Sequence, residues 1–241
     1  MAVNEYEREQ AILDAAADLL IRYGYHKLTM GAVADAVDLH RGLVYLRFTS
    51  KDDLVDAVVA RELDRYALAW RDLVAADPEG GSMGSMARAM TGALKTLPLA
   101  SAIVARDEQV FGRYLRKAGS HFQQRPKPTR TREFLDAMQA AGAIRRDVDT
   151  RAMAFIADAL TPAIRRTFER ADDGPDDDDR PTSEQVLEAL VDILDRTLTP
   201  PSGADLAAGK AILLDGVDRA RADFAARYRR ADRAGEAGDH E

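Results

Sequence analysis

The chain contains no cysteine, which excludes a disulfide framework, a thiolate nucleophile and a thiolate metal site together. Its four histidines, His26, His40, His121 and His240, are scattered without metal-ligand spacing. No glycine loop follows a strand pattern and no G-x-S-x-G elbow is present, so phosphate-cradling and serine-hydrolase chemistry find no support. No catalytic residue, metal or cofactor is therefore expected. The competing class is a helical enzyme, or a ligand-binding protein without a DNA role, with acids and bases hidden among the Asp and Glu residues. No apolar run approaches the roughly 18 residues of a membrane span. The N-terminus lacks the basic region, apolar run and small-residue cleavage site of a signal peptide. A cytoplasmic protein is the expectation.

Net basicity is also lacking, since the formal charge is −7. Phosphate attraction, however, is local, being screened beyond roughly 8–10 Å. Asp172, Asp173 and Asp176 to Asp179 concentrate six negative charges in one stretch, and without them the remaining chain is close to neutral. That stretch, through Pro181, reads as a solvated loop. It lacks the glycine and terminal glutamate of an EF-hand loop. Residues 40–51 carry Arg41, Arg47 and Lys51 with no acid, plus His40.

What is there is helical almost throughout, with no convincing strand alternation, and the fold class is all-α. Ile12, Ala15, Ala16 and Leu19 keep the spacing of one buried face, and Gly24 is placed to end this first helix. Thr29 can cap a short second helix, Asp38 occupies a tight turn, and a third helix runs from about His40 to Phe48. Ser50 with Asp53 opens a long fourth helix, whose roughly 25 residues reach about 37 Å, enough to pass from one domain into another. Gly80 to Gly84 follows no strand and reads as a linker.

Two short helices joined by a tight turn form the unit that places its second helix in the DNA major groove. Leu39, Val44 and Phe48 can point inward, which leaves His40, Arg41, Leu43, Tyr45, Leu46 and Arg47 to face outward. Gly42 serves either close helix packing or close approach to DNA. His40 reads as a cap or a phosphate neighbour, and Tyr45 can rest its ring on the core with its hydroxyl outward.

Residues 6–66 resemble the DNA-binding domain of the tetracycline-repressor (TetR) family. The matching pieces are Ile12-Leu13-Asp14-Ala15-Ala16, Tyr23-Gly24-Tyr25, Thr29-Met30, Val33-Ala34, Gly42-x-x-Tyr45-x-x-Phe48 and Ser50-Lys51-Asp52-Asp53-Leu54. The resemblance implies phosphate contacts from Thr29, Tyr45 and Lys51. It implies base-edge or phosphate contacts from His40, Arg41, Gly42, Leu43, Leu46 and Arg47. Asp38 stands where the family commonly has glycine, His40 where it has a serine or threonine cap, Leu43 where it has threonine, and Leu46 where it has a polar residue. Leucine can touch a thymine methyl but cannot hydrogen-bond a base.

The expected organisation is a DNA-binding domain over 6–66, with its helix-turn-helix at 29–48. A ligand-binding and dimerisation domain follows over 67–230, then a disordered tail over 231–241. Trp70, Met83, Met86, Met90, Phe111, Phe134 and Met138 are first of all core residues, and methionine's flexibility also suits an adaptable ligand pocket. Helices at 149–170 and 183–198 carry more apolar surface than one layer of neighbours covers, which suits an isologous dimer. The resemblance points to the same pair of helices, through Phe155, Ile156, Leu160 and Ile164 on the first and Leu187, Leu190, Val191 and Leu194 on the second. The expected function is a homodimeric regulator, repressor or activator, that binds double-stranded operator DNA. A small molecule bound in the second domain would displace the fourth helix and release the operator.

Overall fold

The computed structural model describes residues 5–123, 129–169 and 181–238. Side chains at 129, 161–169, 183 and 223–238, and the acidic stretch 172–179, lie outside that description. Helices and turns, with no strand, make up the described residues. The chain divides into two compact units, Met1–Leu63 with Leu97–Arg125, and Asp64–Thr96 with Pro126–Glu241. This partition differs from a single cut after residue 66, because a segment from the middle of the chain folds with the N-terminal one.

The first unit holds α1 (Glu5–Lys27), α2 (Met30–Ala36), α3 (Arg41–Tyr45) and the opening of α4 (Lys51–Ala76), then α6 (Pro98–Ala105) and α7 (Glu108–Phe111); α5 (Met83–Lys95) belongs to the other unit. Ile12, Leu13, Ala16 and Leu20 of α1 are buried, as are Val33, Ala34, Val44, Phe48, Leu54 and Val58. Three short helices enclose too little apolar surface to stand alone, and the returning segment enlarges the core with Leu99, Ile103, Phe111, Tyr114 and Phe122. Gly24 permits that return. It takes φ 72°, a left-handed conformation, and a Cβ there would sit 2.6 Å from the Gln109 carbonyl oxygen. The glycine thus breaks α1 and also presents a bare backbone on which residues 109–110 lie.

Within the second unit, α5 packs along α10 (Ser183–Leu198), and α8 (Thr129–Ala140) along α9 (Thr150–Glu169). Val74, Met83, Leu135, Met138, Ile144, Leu198 and Leu213 form its buried core. The run Gly80 to Gly84 is buried rather than a linker. Its Gly81 lies so flat on the first turn of α11 (Leu206–Gly238) that any Cβ would overlap the Leu206 carbonyl. Thr182 and Gln185 close a reciprocal cap on α10, with Gln185 N–H donating to Thr182 Oγ1 at 3.2 Å and Thr182 N–H donating to Gln185 Oε1 at 2.8 Å. The tail expected to be disordered from 231 is helical through Gly238. Arg and Ala make up six of the ten residues 229–238, and their intrinsic propensity extends a helix without any apolar face.

Candidate nucleic-acid interface

Local chemistry builds the two-helix unit. Thr29 Oγ1 accepts the Ala32 N–H at 3.1 Å and so caps α2. Asp38 takes φ 52° in the turn, a conformation a short polar side chain tolerates better than most, and Leu39 N–H donates back to the Ala34 carbonyl at 2.9 Å. His40 is the cap of α3: its Nδ1 accepts the Gly42 N–H at 3.2 Å, so the proton of the neutral ring resides on Nε2. Val44 and Phe48 are buried and fix the roll of the helix.

That roll leaves His40, Arg41, Gly42, Leu43, Tyr45, Leu46 and Arg47 all exposed. Leu46, at 83% exposure, is the most open large apolar side chain of the described residues. Arg41 Nη2 donates to the Tyr45 hydroxyl at 2.9 Å, and its guanidinium lies 5.2 Å from the centre of that ring. Stacking a planar cation on a phenol one turn away holds both in an extended, pre-organised pose. Arg47 is placed differently from the expectation that it is available to DNA. Its Nη1 lies 2.9 Å from Glu5 Oε1, its Nε donates to Glu9 Oε2 at 2.6 Å, and its Nη2 lies 2.5 Å from the same oxygen. The two acids stand one turn apart on α1, so the guanidinium fork straddles them.

Lys51 opens α4 with its ammonium 4.1 Å from the centre of the Tyr25 ring and 3.5 Å from the His26 carbonyl oxygen. Burial, reinforced by Arg113, lowers its pKa from the ordinary lysine value. Around it the start of α4 is tied down from two sides. Tyr25 O–H donates to Asp52, Tyr114 O–H donates to Asp56, and Lys117 Nζ lies 3.0 Å from Asp56 and 3.5 Å from Asp52. Ser50 Oγ accepts the Asp53 N–H at 3.1 Å while Asp53 accepts the Thr49 N–H at 2.8 Å, completing the helix start.

The residues expected to line a ligand pocket fall in both units. Trp70, Met83, Met86, Phe134 and Met138 share the core of the second unit, Met138 being fully enclosed. Met90 is half-buried. Phe111 belongs to the first unit, where its ring centre lies 4.9 Å from that of Phe122 and 6.3 Å from that of Tyr114, both in tilted contact. The bare backbone of Gly24 admits the carbonyls of residues 109–110, and Val110 and Phe111 beside them are buried. An open groove of about 500 Å³ runs between α5 and α10. Its walls are ion-paired, with Arg88 to Asp195 at 3.6 Å and Lys95 to Glu184 at 3.2 Å, so it is not the methionine-lined site expected.

The expected dimer residues also divide. Phe155, Ile156 and Leu160 of α9 are exposed at 77%, 44% and 47%. On α10, Val191 is buried, Leu194 joins the core, and Leu187 and Leu190 are half-buried, because Leu187 and Val191 are turned toward α5. Ile193 is the exposed apolar residue of α10, at 59%. The Ile164 side chain lies outside the described residues. No cluster of His, Asp and Glu among the described residues could hold a metal ion, and no helix among them is long and apolar enough to cross a membrane.

Residues 12–58 match the family model described as bacterial regulatory proteins, tetR family. Over 59 residues the chain is 41% identical to the HTH-type transcriptional repressor KstR of Rhodococcus jostii (strain RHA1). That match covers 24% of this chain and 28% of the relative, so it spans little more than a quarter of that protein. In structure the chain is similar to NalD, the secondary repressor of the MexAB-OprM multidrug efflux pump in Pseudomonas aeruginosa, with TM-score 0.55 and 19% identity over 82% of this chain and 100% of that one. It is also similar to the fatty acid degradation regulator FadR from Bacillus halodurans, with TM-score 0.54 and 15% identity over 78% and 94%. At these identities the likeness is one of fold, and both share the helical architecture described above.

Proposed function

We propose that the chain, whose residues 12–58 match the tetR family model, binds operator DNA as a homodimeric repressor released by a small molecule. The observation that carries this reading is the outward face of α3. A capped helix is anchored by Val44 and Phe48 and displays Arg41, Tyr45, Leu43 and Leu46 to solvent, with no acid between residues 39 and 51. Large exposed apolar side chains beside a pre-organised arginine have no task in a protein core, and each suits a major groove. Arginine reads guanine bidentately or holds phosphate, and leucine packs on thymine methyls.

Thr29, Tyr45 and Lys51 are proposed as phosphate contacts, and His40, Arg41, Gly42, Leu43 and Leu46 as groove residues. The exposed apolar patch of Phe155, Ile156 and Leu160, with Ile193, is proposed as the dimer seam, since an obligate interface is apolar at its centre. Two recognition helices bind together only when their separation matches one DNA turn, about 34–36 Å, or a multiple. A ligand releases the operator by preferring the state with the wrong spacing.

The test is selection of bound fragments from genomic DNA, followed by fluorescence anisotropy on the selected duplex. Expected is one enriched sequence with two half-sites, bound far tighter than random duplex, and loss of that preference in Arg41→Ala. Enrichment no better than random DNA would remove this function.

A further inference from the structure

In the second unit α4 carries Tyr66, Trp70 and Val74 at i, i+4 and i+8, one stripe along one face. Val74 is buried in the core, and Trp70 packs against the same cluster. The two polar atoms of this stripe, the Tyr66 hydroxyl and the Trp70 Nε1, are sealed from solvent, and neither has a hydrogen-bond partner among the described residues. Buried polar atoms of native proteins are paired in roughly nine cases of ten. Two orphans on residues one helical turn apart mark one face of α4.

We propose that Tyr66 and Trp70 form the polar end of a ligand site, and that the ligand is a neutral, largely apolar molecule presenting a carbonyl oxygen to them. The inference rests on the ligand-responsive reading above and names the chemistry that reading lacks. An indole N–H can only donate, so the ligand must accept there. Burial raises the Tyr66 phenol above its ordinary pKa, and no charge from the described residues shifts it further. The hydroxyl is therefore present as O–H, a second donor, with no cation beside it to compensate a ligand carboxylate. A buried anion in such a setting is strongly disfavoured, whereas a ketone or ester oxygen takes one or both donors without net charge. The remainder of the cluster that Trp70 touches, with Met83, Met86 and Met138, is apolar and soft enough to repack around a hydrocarbon body.

Trp70 is the sole tryptophan of the chain, so its emission reads this site alone. The experiment titrates the full-length protein with 2-nonanone, nonanoate and nonane, following emission and melting temperature, in the wild type and in Tyr66→Phe. Expected is a saturable emission change with 2-nonanone, at least tenfold weaker with nonanoate and nonane, and at least tenfold weaker for 2-nonanone in Tyr66→Phe. Ligand-free Tyr66→Phe should melt no lower than wild type, since it deletes an unpaired hydroxyl. A variant that melts several degrees lower without ligand would show the hydroxyl already partnered, by a buried water or by the protein, and overturns the proposal. So does a ketone that binds no better than nonane, or equally well to the variant. The DNA reading is scored separately. Ketone bound while the operator stays bound keeps this site and removes ligand release; operator bound with no ketone response removes this site alone.

Discussion

Arg47 gives the sharpest test of how the first unit uses its charges. Its guanidinium is shared between Glu5 and Glu9, and its side chain is 41% exposed beside carboxylates that are 74% and 29% exposed. An exposed ion pair contributes about 0.2–1 kcal/mol once solvent screening is counted. The two-acid fork should therefore supply about 1 kcal/mol in all, the more sheltered Glu9 giving the larger share. A cation already neutralised by protein carboxylates releases few counterions on meeting DNA. Arg47→Ala should thus lower stability by about 1 kcal/mol, which in a chain of this size is a melting shift of roughly 2–4 °C. The slope of log affinity against log salt should stay nearly unchanged. The double variant Glu5→Gln, Glu9→Gln should do the opposite. It frees the arginine for phosphate and removes two negative charges, steepening the slope by about 0.9 or more. Anisotropy titrations between 50 and 200 mM salt on one duplex measure both. A slope flattened by about one unit in Arg47→Ala, with no change in the double glutamine variant, would refute the reasoning: Arg47 would then leave its carboxylates for DNA.

Gly24→Ala must adopt left-handed φ and push a methyl toward the Gln109 carbonyl oxygen. It should cost about 2–4 kcal/mol, and an unshifted melting curve would contradict the close packing described. Phe155→Glu with Ile193→Glu should yield a folded monomer by analytical ultracentrifugation, because both side chains are exposed within one chain. Val191→Glu, aimed at a buried position, should unfold the second unit instead; a stable dimer in the double variant would place the seam elsewhere. Ser85 O–H donates to Asp77, and that bond, ahead of the Glu79 N–H and nearby cations, lowers the carboxyl below its ordinary 3.8. A depressed acid stabilises the fold above its unfolded pKa and loses that contribution as pH falls through the folded one. Ser85→Ala should therefore be less stable than wild type at pH 7, with the gap closing below about pH 3.8. A gap that persists undiminished at pH 2.5, by thermal melts at each pH, would show that the bond does not depend on the charge.

The parts legible in the sequence were those written within a few residues. Thr29, Asp38, Ser50 with Asp53, and Thr182 with Gln185 each announce a start or a turn by chemistry that acts over three or four positions, and each performs it. The outward face of α3 followed because Val44 and Phe48 fix the helix roll. What could not be read was the choice of distant partner. Phe111 and Tyr114 advertise burial without saying against what, and Gly24 looks the same whether it stops a helix or admits another backbone. Nothing near Arg47 indicates that acids some forty residues earlier will hold it. The stripe Leu187, Val191 and Leu194 was correctly apolar, yet α5 claims it where a second copy of the chain was expected. Helical propensity without periodicity, at 229–238, was read as no structure at all.

The return of residues 97–125 to the N-terminal unit bears on modularity. A recombination junction placed at the end of residue 66 looks natural in the sequence, since every recognised motif lies before it. Such a transplant would carry α2 and α3 away from Phe111, Tyr114 and Phe122, and would strand Asp52 and Asp56 without Tyr114 and Lys117. The exchangeable cassette is discontinuous: moving the first unit into another chain requires moving two stretches of sequence with the intervening α5 excluded.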